Sequence, residues 1–172
     1  SHLGIAMVNL LATIFAKPEP LARLDFSEGI PDTAKTMVVV PTLLNNVQGV
    51  DDLCEALEVR YLANPGQNLY FCLLTDFTDA KEEVLASDEA LLIHAENKLT
   101  ALNHKYIQDE SGPFFLFHRP RLWNESEGIW MGYERKRGKL ADLNAFLLNG
   151  NRDNFSRIVG NAQTLTHIKY II

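Results

Sequence analysis

The chain has 172 residues, 47% of them hydrophobic and 22% charged, with a formal net charge of −6, which fits one globular domain with a real core and excludes a disordered chain. The acidic balance argues against a general nucleic-acid binder, and the basic residues gather at 119–139 rather than over a face. Cys54 and Cys72 lie in apolar segments with no CxxC spacing and no His/Cys cluster, so they read as buried free thiols of a reducing compartment and not as a zinc site.

In chain order, Leu3 to Ala16 is nearly all apolar but falls short of the roughly 20 residues needed to cross a bilayer, and no basic region precedes it as in a signal peptide. It is a core helix, an interfacial helix or the end of a membrane helix; periodicity does not separate these. Lys17-Pro18-Glu19-Pro20 stops it, and 17–35 is an extended connector with turn chemistry at Gly29, Pro31 and Asp32. Residues 36–172 form the α/β domain. Thr36-Met37-Val38-Val39-Val40, closed by Pro41, is a strand buried on both faces. Asp51 or Asp52 caps the next helix, which runs to about Leu62 with Leu53, Leu57 and Tyr61 on one face. Leu69–Leu74 is a second buried strand, so the strands are parallel with a crossover helix.

Ser87 caps a longer helix to about Tyr106, with Leu91, Ala95, Leu99 and Leu102 as its stripe; His94 and His104 are surface or satisfied residues of it. Phe114–His118 is a third strand and Arg119-Pro120-Arg121 leaves its end. Trp123 to Met131 reads as loop. Four cations, Arg135, Lys136, Arg137 and Lys139, then precede a helix that begins after Gly138, carries Leu140, Leu143 and Leu147 at helical spacing, and ends at Asn149-Gly150. Cations at a helix start oppose its dipole and suit an anion seated there; read alone, the same cluster is equally a solvated loop. A polar segment leads to a fourth strand, Ile168–Ile172. Because a compact domain rarely finishes inside a buried strand, the domain is expected to be incomplete at its C-terminus, with one edge and one face open to self-association.

Ligands of open α/β sheets bind outside the carboxyl ends of the strands. That edge gathers Thr42 and Leu43, Asp76 and Asp79, Arg119 and Arg121, and the 135–139 cations. An acid facing cations suits a nucleoside diphosphate, the carboxylate meeting a ribose or base edge and the cations the phosphates; Asp76 alone serves equally as an N-cap. No GxGxxG follows a strand, and GxxxxGK[ST], GxSxG and HExxH are absent.

Val38-Val39-Val40-Pro41-Thr42, Leu74-Thr75-Asp76-Phe77-Thr78-Asp79 and Gly138-Lys139-Leu140-Ala141-Asp142-Leu143-Asn144 look like the ordered motifs of processive GT-A type glycosyltransferases. More narrowly, Leu24–Pro31, Leu73–Ala80, Phe117–Asn124 and Gly128–Lys139 resemble the cyclic β-1,2-glucan synthase family. The resemblance implies the donor-nucleotide half of a UDP-glucose-dependent glucosyltransferase, a Rossmann-like three-layer fold with a mainly parallel sheet of about four strands, and a bacterial inner-membrane enzyme with this domain on the cytoplasmic side. Thr42, Leu43 and Asp76 are then uridine contacts, and Arg135, Arg137 and Lys139 approach the diphosphate. Asp79, Arg119 and Asn144 are secondary candidates, with Asn144 equally a brace for the loop. Trp123, Trp130 and Tyr133 stack on a sugar or uracil, or pack beneath the loop. The resemblance also implies a divalent metal, Mg or Mn, whose ligands and whose catalytic base lie in the remainder of the polypeptide, together with a growing glucan; it assigns no catalytic or metal residue to this chain, which is then inactive alone. The alternative is a non-catalytic α/β interaction module whose apolar N-terminus docks to a membrane or partner.

Overall fold

The computed structural model describes residues 2–15, 29–107 and 112–172. The proline stop at 17–20, most of the 17–35 connector, the Leu24–Glu28 motif and Ser111 lie outside the described residues.

The fold follows from three apolar strands that cannot face water. β1 (Thr36–Leu44), β2 (Leu69–Phe77) and β3 (Phe114–Arg119) pair in parallel, joined by helices α2 (Val47–Ala63) and α3 (Asp88–Lys105), with α4 (Arg135–Asn149) after β3. Short β6 (Arg157–Val159) runs antiparallel on β3, and β7 (Tyr170–Ile171) runs parallel on β1. The five-stranded order is β6-β3-β2-β1-β7. Alternate side chains of the central strands enter two separate cores, as strands covered on both faces require. Leu44, Phe71, Leu73, Phe77, Phe114 and Leu116 meet Val50, Leu57 and Tyr61 of α2 and Leu91, Ala95 and Leu99 of α3. Met37, Cys72, Leu74, Phe115 and Phe117 meet Leu143 and Phe146 of α4. The architecture is therefore three-layered α/β with a mostly parallel sheet, as the strand pattern requires.

Four expectations are corrected. α2 starts earlier than Asp51: the Asn46 side chain accepts from the Gly49 amide at 2.8 Å and caps it. Ser87 precedes α3 but makes no side-chain cap bond; Asp88 accepts from the Leu85 amide instead, at 2.8 Å. Residues 122–131 are not loop but a ribbon, β4 (Leu122–Asn124) against β5 (Ile129–Met131). Its turn is closed by Asn124 Oδ1, which accepts from the Ser126 and Glu127 amides, with Gly128 at φ 63°. Finally, the strand near Ile172 is an exposed edge rather than a buried strand, Tyr170 and Ile171 being 44% and 37% exposed. β6 carries too little apolar sequence to announce itself and exists because β3 offers it an open edge.

α1 (His2–Phe15) buries none of its residues. Among the described residues, no helix is long and apolar enough to cross a membrane.

Candidate functional site

Successive strands β1, β2 and β3 lie one beyond the other, and the chain then returns to the far side of β1 with β7. A reversal of this kind leaves a crevice outside the carboxyl ends of the strands beside it. At those ends, Leu43, Asp76 and Arg119 stand in one row across three strands, paired Leu43 to Asp76 and Asp76 to Arg119. The period of two directs this row to the α4 side of the sheet.

α4 closes the row from above. Asp76 is 1% exposed and takes Arg119 side-on, Nε to Oδ1 at 2.9 Å and Nη2 to Oδ2 at 3.1 Å. Lys139 Nζ reaches the same Oδ2 at 3.0 Å and donates to the Thr42 carbonyl at 2.7 Å. Arg119 Nη1 meets Asp142 at 2.6 Å, and Nη2 donates to the carbonyls of Tyr133 and Arg135 at 3.0 and 3.3 Å. Two carboxylates and two cations thus form a balanced, water-poor knot, the condition under which charges tolerate burial. Burial works to weaken the Arg119 charge, but Asp76 and Asp142 together outweigh it and raise its pKa. Lys139 shares a single carboxylate with Arg119, so burial dominates and its pKa falls.

Two glycines make the knot possible. A Cβ on Gly132 would lie within van der Waals overlap of the Asp76 carboxylate, and one on Gly138 would strike the Tyr133 carbonyl. This explains a further correction: α4 begins at Arg135, with the first cation of the basic cluster, and Gly138 lies inside it. There the glycine is a close-approach residue and not a helix boundary. Glu134 and Arg135 turn the chain into α4 in the left-handed region, at φ 50° and 47°.

The sequence candidates divide into two groups. Asp76, Arg119 and Lys139 are buried together, with the backbone of half-buried Thr42. Leu43 is 44% exposed, and Arg135 and Arg137 have exposed side chains. Arg135 bridges Asp79 at 2.9 Å and Glu127 at 3.3 Å, and Arg137 meets Glu134 at 3.4 Å. Asn144 is exposed on α4 and outside the knot. Sequence reasoning did not find Asp142 as the second partner of Arg119. Its spacing of three from Lys139 on one helix was the available signal.

A second buried pair lies on the opposite face. Arg121 chelates Asp88 and donates to the carbonyls of Thr78 and Glu83, while its guanidinium rests 4.8 Å from the Phe77 ring. Burial works against the Asp88 charge, yet Arg121 and the Leu85 amide hold its pKa below the usual carboxylate value. This pair fixes the 78–88 loop, which gives Arg121 a structural role. Next to it, His118 is fully buried, bonded through Nδ1 to Thr75 Oγ1 at 2.8 Å and with Nε2 unpartnered. Among the described residues, no group of three His, Cys, Asp or Glu side chains is placed to hold a metal ion.

No protein-family model matches the sequence. The chain is 48% identical over 153 residues to the cyclic beta-(1,2)-glucan synthase NdvB of Rhizobium meliloti (strain 1021). The match covers 89% of the chain and 5% of that much longer protein.

Proposed function

Because the chain belongs to the cyclic β-1,2-glucan synthase family, we propose that it holds the nucleotide half of a UDP-glucose site in a glucosyltransferase that builds β-1,2-glucan. The observation that carries this reading is the Leu43–Asp76–Arg119 row, tied to Lys139 at the carboxyl edge of a parallel sheet. Leu43 and the backbone of Thr42 offer a flat contact for uracil. Asp76 Oδ2 already takes two donors whereas Oδ1 takes one, so Oδ1 has acceptor capacity for a ribose hydroxyl. The knot is charge-balanced, so a diphosphate draws on cations outside it. Arg135, Lys136 and Arg137 are exposed on the first turn of α4, where the backbone amides also face an anion. Lys139 reaches a phosphate only by leaving Thr42 and Asp76, which makes its engagement conditional on ligand.

In the whole enzyme a divalent metal, Mg or Mn, would supply charge neutralisation for the diphosphate. The described residues provide no ligand set for it. The growing glucan is the acceptor, and the chain alone is expected to transfer no glucose; turnover by it would refute that.

Calorimetric titration of the chain with UDP and with uridine, both in Mg²⁺, tests the assignment. UDP should bind, and the double substitution Arg135→Ala with Arg137→Ala should weaken UDP about tenfold, about 1.4 kcal/mol, while leaving uridine unchanged. Absence of UDP binding at millimolar concentration sinks the donor-site reading.

A second reading, an interaction module docked through its N-terminus, is favoured by one observation: α1 is apolar and exposed along its length. Deleting residues 1–15 should leave the unfolding free energy of the α/β domain within about 0.5 kcal/mol and abolish any self-association or vesicle binding. If UDP binds neither form and association vanishes with α1, this second reading replaces the first.

A further inference from the structure

The β4–β5 ribbon is a separate two-stranded sheet outside both cores. Such ribbons are marginal alone, and this one is held by several ties. Ala80 and Trp130 exchange both backbone hydrogen bonds at 2.9 Å. Asn124 closes the turn and donates to Met131 Sδ at 3.1 Å. Arg135 joins Glu127 of the ribbon to Asp79. What these ties support is an aromatic surface facing solvent. Trp123 is 50% exposed and lies across from half-buried Trp130, ring centroids 5.7 Å apart, and Tyr133, just beyond the ribbon, is 57% exposed. A built, exposed aromatic patch marks a binding surface.

Its charge selects the ligand. Residues 122–133 contain Glu125 and Glu127 and neither Lys nor Arg; with Glu127 paired to Arg135, the patch brings no cation of its own for a phosphate, and Glu125 offers a carboxylate acceptor to hydroxyl groups. A glucopyranose ring in β linkage has apolar C–H faces and a rim of hydroxyls, and it matches an indole bordered by acids. Arg135 links this patch directly to the cations assigned to the diphosphate. We propose that the exposed face of the ribbon, with Trp123 as its anchor, holds the neutral β-glucan chain beside the donor site. This inference rests on the glucosyltransferase reading above.

The chain has two tryptophans, both on the ribbon, so intrinsic fluorescence and the two indole N–H resonances report on this patch alone. Titration of the unsubstituted chain with a linear β-1,2-linked gluco-oligosaccharide should change the fluorescence saturably and shift the Trp123 indole signal, assigned through Trp123→Phe. By calorimetry, Trp123→Ala should weaken the oligosaccharide about tenfold, the scale of one lost aromatic contact, while Trp123→Phe stays close to the unsubstituted chain and UDP affinity is unchanged in both. Since Trp123 is half-exposed, the folded state should survive either change, and circular dichroism verifies this. UDP binding without oligosaccharide binding overturns the inference and leaves the donor site standing. Oligosaccharide binding without UDP binding has the opposite meaning. A Trp123 indole shift produced by UDP assigns the patch to uracil, and a fluorescence change that follows protein concentration and disappears in Trp123→Ala assigns it to a second copy; both overturn the inference.

Discussion

Asp76 shows how one side chain answers to two demands, since the oxygens proposed for a ribose also neutralise Arg119 and Lys139 inside the protein. Asp76→Asn keeps the shape and removes the charge, leaving two buried cations on one remaining carboxylate. The expected loss is about 3–5 kcal/mol in urea unfolding, whereas Arg137→Ala, on a side chain 85% exposed, should cost under about 0.5 kcal/mol. Equal effects would mean that the knot carries no special weight. His118 adds a pH dependence. Burial, aided by the nearby charges of Lys139 and Arg121 and against the opposing pull of Asp76 and Asp88, lowers its pKa from 6.5 to about 4. Between those values the unfolded chain binds a proton that the folded chain refuses. The stability is therefore full above about pH 6.5 and falls as the pH drops towards 4, by up to about 3 kcal/mol. Urea midpoints at pH 7 and pH 5 check the sign, and His118→Gln should flatten the difference. At this scale the sequence announced which residues are polar at the sheet edge but not that they pair with one another, because pairing depends on α4 folding back over β2 and β3.

The entry into α4 shows why element boundaries were harder to read than element types. A glycine in a basic run resembles a stop, yet Gly138 lies within the helix because a side chain there meets the Tyr133 carbonyl. Gly138→Ala should therefore destabilise by about 2 kcal/mol despite the higher helix propensity of alanine. Glu134 is the reverse case: at φ 50° a side chain is strained, so Glu134→Gly should raise stability by about 0.5–1 kcal/mol. Thermal unfolding of the two variants should move in opposite directions, and a shared direction would refute this account of the turn. The ribbon at 122–131 was illegible for a related reason. Its strands are three residues each, too short for alternation to register, and its stability comes from Ala80, Asn124 and Arg135 rather than from its own pattern.

For the molecule as a whole, the two thiols offer a global probe. Cys54 is 4% and Cys72 0% exposed; burial raises the first to about 11 and the second further still. Neither should react with a thiol reagent in the native state, and Cys72 should label at the rate of global unfolding, slowing as stability rises. Labelling of Cys72 much faster than unfolding would show that the sheet opens locally. By itself the sequence determined the three parallel apolar strands, their crossover helices, the glycine cap at Gly150, the buried thiols and the edge of the sheet where the polar residues gather, because strand and helix periodicities are local properties of the chain. The tertiary structure decided which of the gathered charges are buried and which are free. Asp76 of β2, Arg119 of β3, and Lys139 with Asp142 of α4 come from three stretches of sequence and meet only when α4 packs on the sheet, so their pairing and exposure are properties of the packed layers.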